Sequence, residues 1–467
     1  MSYQWRAITV AIAWLNATLI PLIGVPMLLP AIGAEFGTST TATAWVALAY
    51  SLAMAGAFMP ASHVGDLLGH KRVALFGSYM EVAFMLVIVA APNLGVLIAL
   101  RFGQGLVHSL AVPNFNALAI GGFPQERRGR ASGMMGGAIG VGMLVVPVFV
   151  GLVTDQLGWR WVFAIGAIIV LAITVVGGLA LRGDGIPRRA RPAIREFDVP
   201  GATLLMAAMA PLIVGVQLLR RSDTAWPWLL FAVAAVLLVA FVWLQARLEH
   251  ATLPVRMFKK AAFAVPSAYN IAVQFTQGVA VYLLPLFFIQ GLGWTGTHTG
   301  LVMAAMAGAR PPASFASGFL ADRWGGMPVT LLGATSLFGA LVGLALGGST
   351  GTLSGLLPFM LLFGMSHSML QTGLQKQMYA AVPRGQLAMA PGVLGLGRHL
   401  GQAIGVGVAA TIYSAVAGDA ASATVNASDG FRAALLATAA IVAITFVGAA
   451  AAVRSHRLVR QAEGVSG

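Results

Sequence analysis

The stretch WVFAIGAIIVLAITVVGGLAL, residues 161–181, is apolar along its length and carries no charged side chain. When helical, a run of about 20 such residues spans the roughly 30 Å hydrocarbon layer of a bilayer. A membrane β-strand would instead show about 10 residues of alternating polarity, and irregular chain would leave backbone groups unpaired in lipid. The stretch therefore predicts a transmembrane helix.

The same pattern recurs along the chain of 467 residues, of which 58% are hydrophobic and 9% charged, with a mean hydropathy of +0.85. Soluble domains carry charge on about a quarter of their residues, so a cytosolic enzyme and a free nucleic-acid-binding protein are excluded. We predict an all-α polytopic membrane protein. Its fourteen transmembrane helices are expected at residues 7–32, 44–62, 73–91, 96–122, 131–153, 161–181, 199–219, 227–245, 263–289, 298–320, 328–347, 354–380, 391–416 and 430–453.

The formal net charge of +14 is explained by the side of the membrane on which the 28 Lys and Arg residues fall. With a cytoplasmic N-terminus, most of them lie in inside loops. Those in outside segments are Arg160, Arg220, Arg221 and Arg432, and those within spans are Arg101, Arg310 and Arg398. Cytoplasmic loops are enriched in Lys and Arg, so both termini are predicted to be cytoplasmic, and no nucleic-acid partner is expected.

The chain contains no cysteine, which excludes disulfides and thiolate metal sites. No span carries two His, Asp or Glu residues at i, i+4, so neither a metal nor another cofactor is expected. The first apolar run is longer than the core of a signal peptide, and more spans follow it. We therefore predict an uncleaved first helix.

One loop sequence occurs twice. Gly65-Asp66-Leu-Leu-Gly69-His-Lys71-Arg72 follows the second span, and Gly318-Phe-Leu-Ala-Asp322-Arg323-Trp-Gly325 follows the tenth. Each copy is second in its group of six spans, which predicts two six-helix repeats around an inserted helix pair (6 + 2 + 6). The expected segments are an N-terminal bundle at 1–181, a cytoplasmic linker with the inserted pair at 182–262, a C-terminal bundle at 263–453 and a cytoplasmic tail at 454–467.

Further motifs stand in a fixed order. They are Asp66 to Arg72 in the inside loop, Arg101-Phe-Gly-Gln104-Gly105 in span 4, Trp159-Arg160-Trp161-Val-Phe163 opening span 6, Phe197-Asp198-Val-Pro-Gly201 before the inserted pair, Pro254 to Phe258 after it, Leu283-Leu-Pro285 with Gln290-Gly291 ending span 9, and Arg398-His-Leu-Gly401 in span 13. Along nearly the whole chain this order resembles the major facilitator superfamily, of the fourteen-span drug:proton antiporter type. The resemblance implies a bacterial inner-membrane exporter of hydrophobic, drug-like molecules that works by antiport with protons.

The chain departs from that family where the family keeps its coupling chemistry. The aspartate that typically precedes the Leu-Pro of span 1 is replaced by Pro21, or by Asn16 if the Leu-Asn-Ala-Thr stretch is matched. Span 5 has Val146-Pro147 in place of Gly-Pro, and Leu67 replaces the arginine after the loop aspartate. The usual proton carrier of span 1 is thus missing.

Three functions therefore stay open. The first is proton-coupled efflux of drug-like molecules, the second is export of an anionic or neutral metabolite or lipid with different coupling, and the third is a non-transporting membrane sensor. The sequence has no Walker-type phosphate loop, so an ion gradient is expected to supply the energy. The expected partners are a small-molecule substrate, protons or another ion, and membrane lipid, for a chain acting as a monomer and not as an enzyme.

Glu81 is the one acid embedded in a span, about 12 Å deep in span 3 at 1.5 Å per residue. A carboxylate at that depth must be protonated or paired. We therefore predict Glu81 as the proton site, with His108 or Arg310 adjusting its affinity. The alternative is a neutral group that only holds span 3 against span 4.

Three spans carry polar residues on one face, where lipid would penalise them. The stripes are Arg101, Gln104 and His108 on span 4, Asn270, Gln274 and Gln277 on span 9, and His367, Gln371 and Gln375 on span 12. The resemblance implies that these spans line the central cavity; the alternative is interhelical hydrogen bonding. Arg310 on span 10 either pairs with Glu81, binds an anionic substrate group or extends towards the interface.

The repeated loops supply the candidate gate residues Asp66, Lys71, Arg72, Asp322 and Arg323. At a helix end a carboxylate can meet the N-terminus of a neighbouring helix and a guanidinium. The family resemblance implies that such contacts hold one state of the transporter closed. The alternative is ordinary capping.

Overall fold

A computed structural model describes residues 3–121, 123, 128–181, 198–218, 225–248, 255–348, 351–381, 389–417 and 424–462. Regular structure in these segments is helical throughout, in agreement with the all-α prediction. The α-helices are α1 Tyr3–Ala17, α2 Val25–Phe36, α3 Thr40–Leu68, α4 His70–Val89, α5 Leu94–Gly121, α6 Arg128–Leu157, α7 Trp159–Ala180, α8 Val199–Leu218, α9 Trp226–Arg247, α10 Ala261–Leu286, α11 Gly296–Gly308, α12 Arg310–Trp324, α13 Gly326–Gly347, α14 Leu353–Ala381, α15 Met389–Ala417 and α16 Thr424–Ala462.

Two of the predicted spans are interrupted at prolines. A single π-helical turn, Ile20–Gly24, joins α1 to α2 in span 1, and α11 gives way to α12 at Ala309 just before Pro311 and Pro312. Proline has no backbone N–H to donate, so carbonyl groups near each break are available to side chains. Both breaks lie beside the central cavity described below.

Twelve helical segments of the described chain are long and apolar enough to cross a membrane. Two further helical segments, α8 and the interrupted pair α11–α12, fall at the remaining predicted spans 199–219 and 298–320. The count of fourteen and the cytoplasmic position of both termini stay predictions. The linker at 182–197 lies outside the described residues.

The two predicted bundles meet through a symmetric pair of contacts. The fifth span of the first bundle, α6, packs on α11 of the second, and α3 packs on α15. The second and fifth helices of each half thus meet the fifth and second of the other, as expected for two parallel repeats. The inserted pair, α8 and α9, joins the rest through α8, which contacts α3 and α15.

Close helix packing in the second bundle depends on glycines of α15. A Cβ atom added to Gly401 would lie 2.4 Å from the carbonyl oxygen of Ile271, and one on Gly405 would lie 2.2 Å from that of Phe275. Any larger residue would therefore push α15 away from α10. This close approach holds the polar residues of α15 and α10 at one side of the cavity.

Candidate substrate cavity and proton site

A cavity of about 410 Å³ lies between the two bundles. The first bundle contributes α1, the π turn, α2, α3, α5 and α6 to its lining, and the second contributes α10, α12, α14 and α15. This volume is within the roughly 300–1,000 Å³ of pockets that enclose drug-sized ligands. The cavity is therefore large enough for a small organic molecule.

The two sides of the cavity differ in polarity. The first bundle presents mostly apolar side chains, among them Leu15, Leu19, Met54, Phe58, Ile139 and Met143. We call this side the N-wall. The second bundle presents Gln274, Gln277, Arg310, His367, Gln371 and Arg398, and we call this side the C-wall. A bound molecule would meet hydrocarbon on one side and hydrogen-bond donors on the other.

Six of the predicted cavity residues line the cavity: His108, Gln274, Gln277, Arg310, His367 and Gln371. Four others lie elsewhere. Asn270 is buried and donates to the carbonyl oxygen of Leu394 at 3.0 Å, and Gln375 is exposed one turn beyond Gln371. Arg101 and Gln104 are sealed inside the first bundle, with exposed fractions of 1% and 0%.

Arg101 is held by backbone carbonyls. Its guanidinium donates to Pro21 at 2.8 Å, to Val46 at 3.1 Å and to the side chain of Gln104 at 2.5 Å, and it lies 4.1 Å from the ring centre of Tyr50. Pro21, one of the two residues that the sequence offers at the position of the family's span 1 aspartate, accepts a hydrogen bond from Arg101 through its carbonyl oxygen. Backbone dipoles of the interrupted span 1 and of α3 therefore stabilise this cation.

Glu81 on α4 and His108 on α5 form a buried pair. The Nδ1 atom of His108 lies 3.0 and 2.9 Å from the two carboxylate oxygens, and the exposed fractions are 2% for His108 and 0% for Glu81. With one proton shared between them the pair is neutral, and a second proton gives it one positive charge. The structure brings His108, and not Arg310, to Glu81.

His108 connects this pair to the cavity. Its ring stacks on Trp14 with centroids 5.5 Å apart and contributes to the cavity lining, whereas Glu81 does not. His108 therefore lies between the buried carboxylate of Glu81 and the cavity.

Three of the five candidate gate residues, Lys71, Asp322 and Arg323, make contacts within their own halves. Lys71 donates to the carbonyl oxygens of Gly178 and Leu181 at the end of α7. Asp322 pairs with Lys376 at 2.8 Å, and Arg323 lies 4.5 Å from the ring centre of Phe319. Arg72 is exposed, and the side chain of Asp66 lies outside the described part of the chain.

Among the described residues, the hydrogen bonds between the halves lie at the opposite end of the bundles. The carboxylate of Asp155 accepts from the backbone N–H groups of Gly296 and Thr297 at 2.8 and 2.7 Å, and from the Thr297 hydroxyl at 2.7 Å. Thr41 donates to Ser414 at 2.9 Å, and Tyr282 donates to the carbonyl oxygen of Thr40 at 3.2 Å. We call this set the distal interface. Asp155 of one half caps the first turn of α11 in the other.

Several cavity residues were not predicted as such: Asn116, Arg398, His399 and Gln402. Arg398 and Gln402 stand at i, i+4 on α15, the spacing that defines one helix face. Gly397 and Gly401 stand beside them on the same helix, and a glycine-rich helix is equally typical of close helix packing, so the sequence alone does not distinguish this stripe. Within the described residues no group of three or more His, Asp or Glu side chains is placed to hold a metal ion.

Comparison with known proteins gives the family. A model of the Major Facilitator Superfamily matches residues 7–406. The chain is 30% identical over 420 residues to the probable actinorhodin transporter of Streptomyces coelicolor, covering 85% of this chain and 70% of that protein. It is 28% identical over 399 residues to the multidrug resistance protein Stp of Mycobacterium tuberculosis, covering 83% of this chain and 72% of that protein. Other curated relatives are longer, and the chain spans between 43% and 61% of their length.

A solved structure supports the fold. The crystal structure of a bacterial homologue of the human lysosomal transporter Spinster, in an inward-facing and unoccupied conformation, matches with a TM-score of 0.66 and 15% identity, over 95% of this chain and 96% of that one. The chain belongs to the major facilitator superfamily, and it is a multi-pass membrane transporter of the bacterial inner membrane and not an enzyme.

Proposed function

We propose that this transporter is a secondary active exporter of drug-like small molecules, driven by protons through the Glu81–His108 pair. The observation that carries the proposal is that His108 both bonds to the buried carboxylate of Glu81 and lines the cavity. Relatives named as an actinorhodin transporter, a multidrug resistance protein and a tetracenomycin C resistance and export protein support efflux as the direction of transport.

Alternating access in this proposal uses the distal interface as the outer gate. The charge distribution of the loops predicts that the distal interface faces outside. With Asp155, Thr41 and Tyr282 bonded across the halves, the cavity is closed on that side and takes substrate from the cytoplasm. Rocking of the two bundles about the cavity breaks these bonds and opens the outer side.

Coupling follows from the charge of the pair. A neutral Glu81–His108 pair is tolerated in the apolar N-wall, whereas a second proton places one positive charge there and raises the cost of that state. Proton uptake from the outside drives the empty carrier back to the cytoplasmic side, and release of that proton restores the neutral pair. Because the ring of His108 faces the cavity, an apolar substrate body packed against it would exclude water and raise the cost of the second proton, so substrate and the second proton oppose each other.

Glu81→Gln tests the proposal, because the amide keeps a hydrogen-bonding group beside His108 and cannot exchange a proton. In proteoliposomes with an imposed pH gradient, we expect the variant to lose uphill accumulation of a transported dye while downhill exchange continues. Glu35→Gln is the matched control, since Glu35 bonds to Trp159 and Arg160 at the end of the bundle and lies outside the cavity lining. Uphill accumulation by Glu81→Gln at the parental level would refute the coupling site.

A further inference from the structure

The C-wall concentrates positive charge without a counter-charge. Two arginines, Arg310 and Arg398, line the cavity together with His367. Among the described residues that line the cavity there is no Asp or Glu. The buried carboxylate of Glu81, in the first bundle, is already bonded to His108 and does not line the cavity.

These groups lie deep in the membrane layer. Arg310 lies midway between Gly296 and Trp324, the two ends of the α11–α12 segment, and a rise of about 1.5 Å per residue places it about 21 Å from each end. His367 likewise lies midway between Leu353 and Ala381, the two ends of α14. Both side chains therefore sit near the middle of the bilayer, where the uncompensated cation of Arg310 is most costly.

Several buried polar atoms of the C-wall have no hydrogen-bond partner among the described residues. Arg310 donates to Gln277 at 2.5 Å, but its Nε atom is buried without a partner, as are the Nδ1 atom of His367 and the Nε2 atom of Gln371. His367 is 5% exposed. Arg398 has no hydrogen bond or ion pair with any residue that the structure describes. Native structures leave few buried polar atoms unsatisfied, so the three buried atoms of Arg310, His367 and Gln371 around one cavity indicate a missing partner. The side chain of Arg398 is exposed and adds an unpaired guanidinium to the same wall.

Arg101 shows that a buried arginine in this chain need not stay unpaired. It lies 1% exposed in the first bundle and donates to two backbone carbonyls and a glutamine. The same fold thus supplies internal acceptors where an arginine is structural. Arg310 and Arg398 lack that support and face the cavity instead.

We infer that Arg310 and Arg398, with His367 and Gln371, form a binding subsite for the carboxylate of an organic anion, the apolar body of which packs on the N-wall. Planar guanidinium groups match a carboxylate with two parallel hydrogen bonds. The inference rests on the proposed exporter function and narrows its substrate class from drug-like molecules in general to hydrophobic organic anions. A cavity of about 410 Å³ suits such a molecule better than a two-chain lipid.

Three ligands with one ring system test the subsite: 9-anthracenecarboxylate, its neutral primary amide and the cationic 9-(aminomethyl)anthracene. Binding to the purified full-length chain is measured at pH 7.5 by the fluorescence anisotropy of the anthracene ring, with no ion gradient. We expect the carboxylate to bind at least tenfold more tightly than the amide, and the ammonium to bind most weakly. Equal Kd values for carboxylate and amide would overturn the inference.

Variants locate the preference. Arg398→Gln and Arg310→Gln are expected to reduce the carboxylate-to-amide ratio to near one while amide binding changes less than twofold. Arg310→Lys keeps the charge and should keep most of the ratio, which decides the matter if Arg310→Gln does not fold. Arg247→Gln is the control, because Arg247 is exposed on α9 and stacks on Trp243 away from the cavity. A ratio unchanged by Arg398→Gln and Arg310→Gln would overturn the inference.

Two further measurements separate the possible failures. Glu81→Gln should retain the preference for the carboxylate over the amide, because this preference does not depend on proton coupling. A carboxylate that binds but is never exported would refute the proposed export function and leave the binding subsite supported. Uphill export of neutral or cationic dyes without any carboxylate preference would refute the subsite alone. Displacement of the carboxylate by phosphatidylglycerol at equal concentration would assign the cations to a lipid headgroup and overturn the inference.

Discussion

His108 and His367 occupy the same place in the two halves and have opposite surroundings. His108 lies as far along α5 from its first residue, Leu94, as His367 lies along α14 from Leu353. Both line the cavity. His108 bonds to the carboxylate of Glu81 at 2.9 Å, whereas the Nδ1 atom of His367 has no partner and its wall carries Arg310 and Arg398.

The difference lies in the neighbouring helices. Counted from the first residue of each helix, the position that Glu81 holds on α4 is held on α13 by the buried Leu337. The acid beside His108 is the reason for proposing that this histidine exchanges protons, and the two arginines beside His367 are the reason for proposing that it contacts ligand. The proposals therefore assign coupling to one half of the repeated fold and substrate binding to the other, and the variants below test this division.

The largest effect is expected for His108→Gln. The amide of glutamine still donates a hydrogen bond to Glu81 but cannot take up or release a proton. Accumulation of substrate against its gradient in proteoliposomes should therefore fall to the equilibrium ratio. His367→Gln should accumulate substrate as the parent does, with a changed KM. If the two variants exchange these behaviours, or if His108→Gln still responds to an imposed pH gradient, the division between the halves is wrong.

The second prediction compares two arginines by stability. Arg101→Gln leaves the carbonyls of Pro21 and Val46 without their donor, and buried groups that lose a charged partner are expected to cost about 3 kcal/mol in the free energy of unfolding. Arg398→Gln removes no hydrogen bond and should change it by about 0.5 kcal/mol or less.

Thermal unfolding in detergent, followed by tryptophan fluorescence, measures both variants against the parent. A melting temperature for Arg101→Gln equal to that of Arg398→Gln would mean that Arg101 contributes no more to stability than Arg398, and the contrast between the two arginines would be wrong.

The sequence predicted the helical membrane fold and the repeat because both follow from patterns that repeat locally: apolar runs of membrane length and a loop motif found twice. The pairing of Glu81 with His108 could be predicted from the sequence, because the rise per residue of a helix places both side chains at a similar depth in the membrane. The partner of Arg101 was not, because it is a backbone carbonyl freed by the π turn at Ile20–Gly24. No side-chain pattern signals such an acceptor.

The C-wall was predicted only in part for a similar reason. Polar spacing on α10 and α14 indicated Gln274, Gln277, His367 and Gln371, all of which line the cavity. The same spacing included Asn270 and Gln375, which lie outside it, because a stripe fixes a helix face but not the length of that face that a cavity covers. Arg398 was overlooked as a ligand because its helix also carries the glycines that pack on α10.

The third prediction concerns the distal interface, which in the proposed transport cycle opens to expose both walls to the outside. Asp155→Asn keeps one oxygen acceptor but places an NH₂ group, which cannot accept, against the backbone N–H of Thr297. We expect the closed distal interface to lose about 1–2 kcal/mol of stability, which corresponds to a five- to thirtyfold shift towards the outward-open state. Since the chain has no cysteine, a single cysteine at the cavity residue Val281 reports the shift through labelling of intact cells by an impermeant maleimide.

Glu35→Gln serves as the control for that shift, because Glu35 lies at the same end and bonds within its own half, to Trp159 and Arg160. Labelling should rise in Asp155→Asn and stay at the parental level in Glu35→Gln. Equal labelling in the two variants would show that the cap on α11 does not hold the interface closed.

The smallest expected effect separates two glutamines on α14. Gln371 lines the cavity with a buried, unpartnered Nε2 atom, so Gln371→Ala removes a donor that only a ligand can use. It should weaken binding of a hydrogen-bonding substrate by about 1 kcal/mol, or about fivefold, with unchanged thermal stability. Gln375→Ala, one turn further on an exposed position, should change neither quantity. Ligand titrations and thermal melting curves of both variants distinguish a ligand contact from a packing contact. If Gln371→Ala destabilises the protein and leaves all ligand affinities unchanged, Gln371 serves helix packing, and fewer residues of the C-wall bind ligand than the cavity lining indicates.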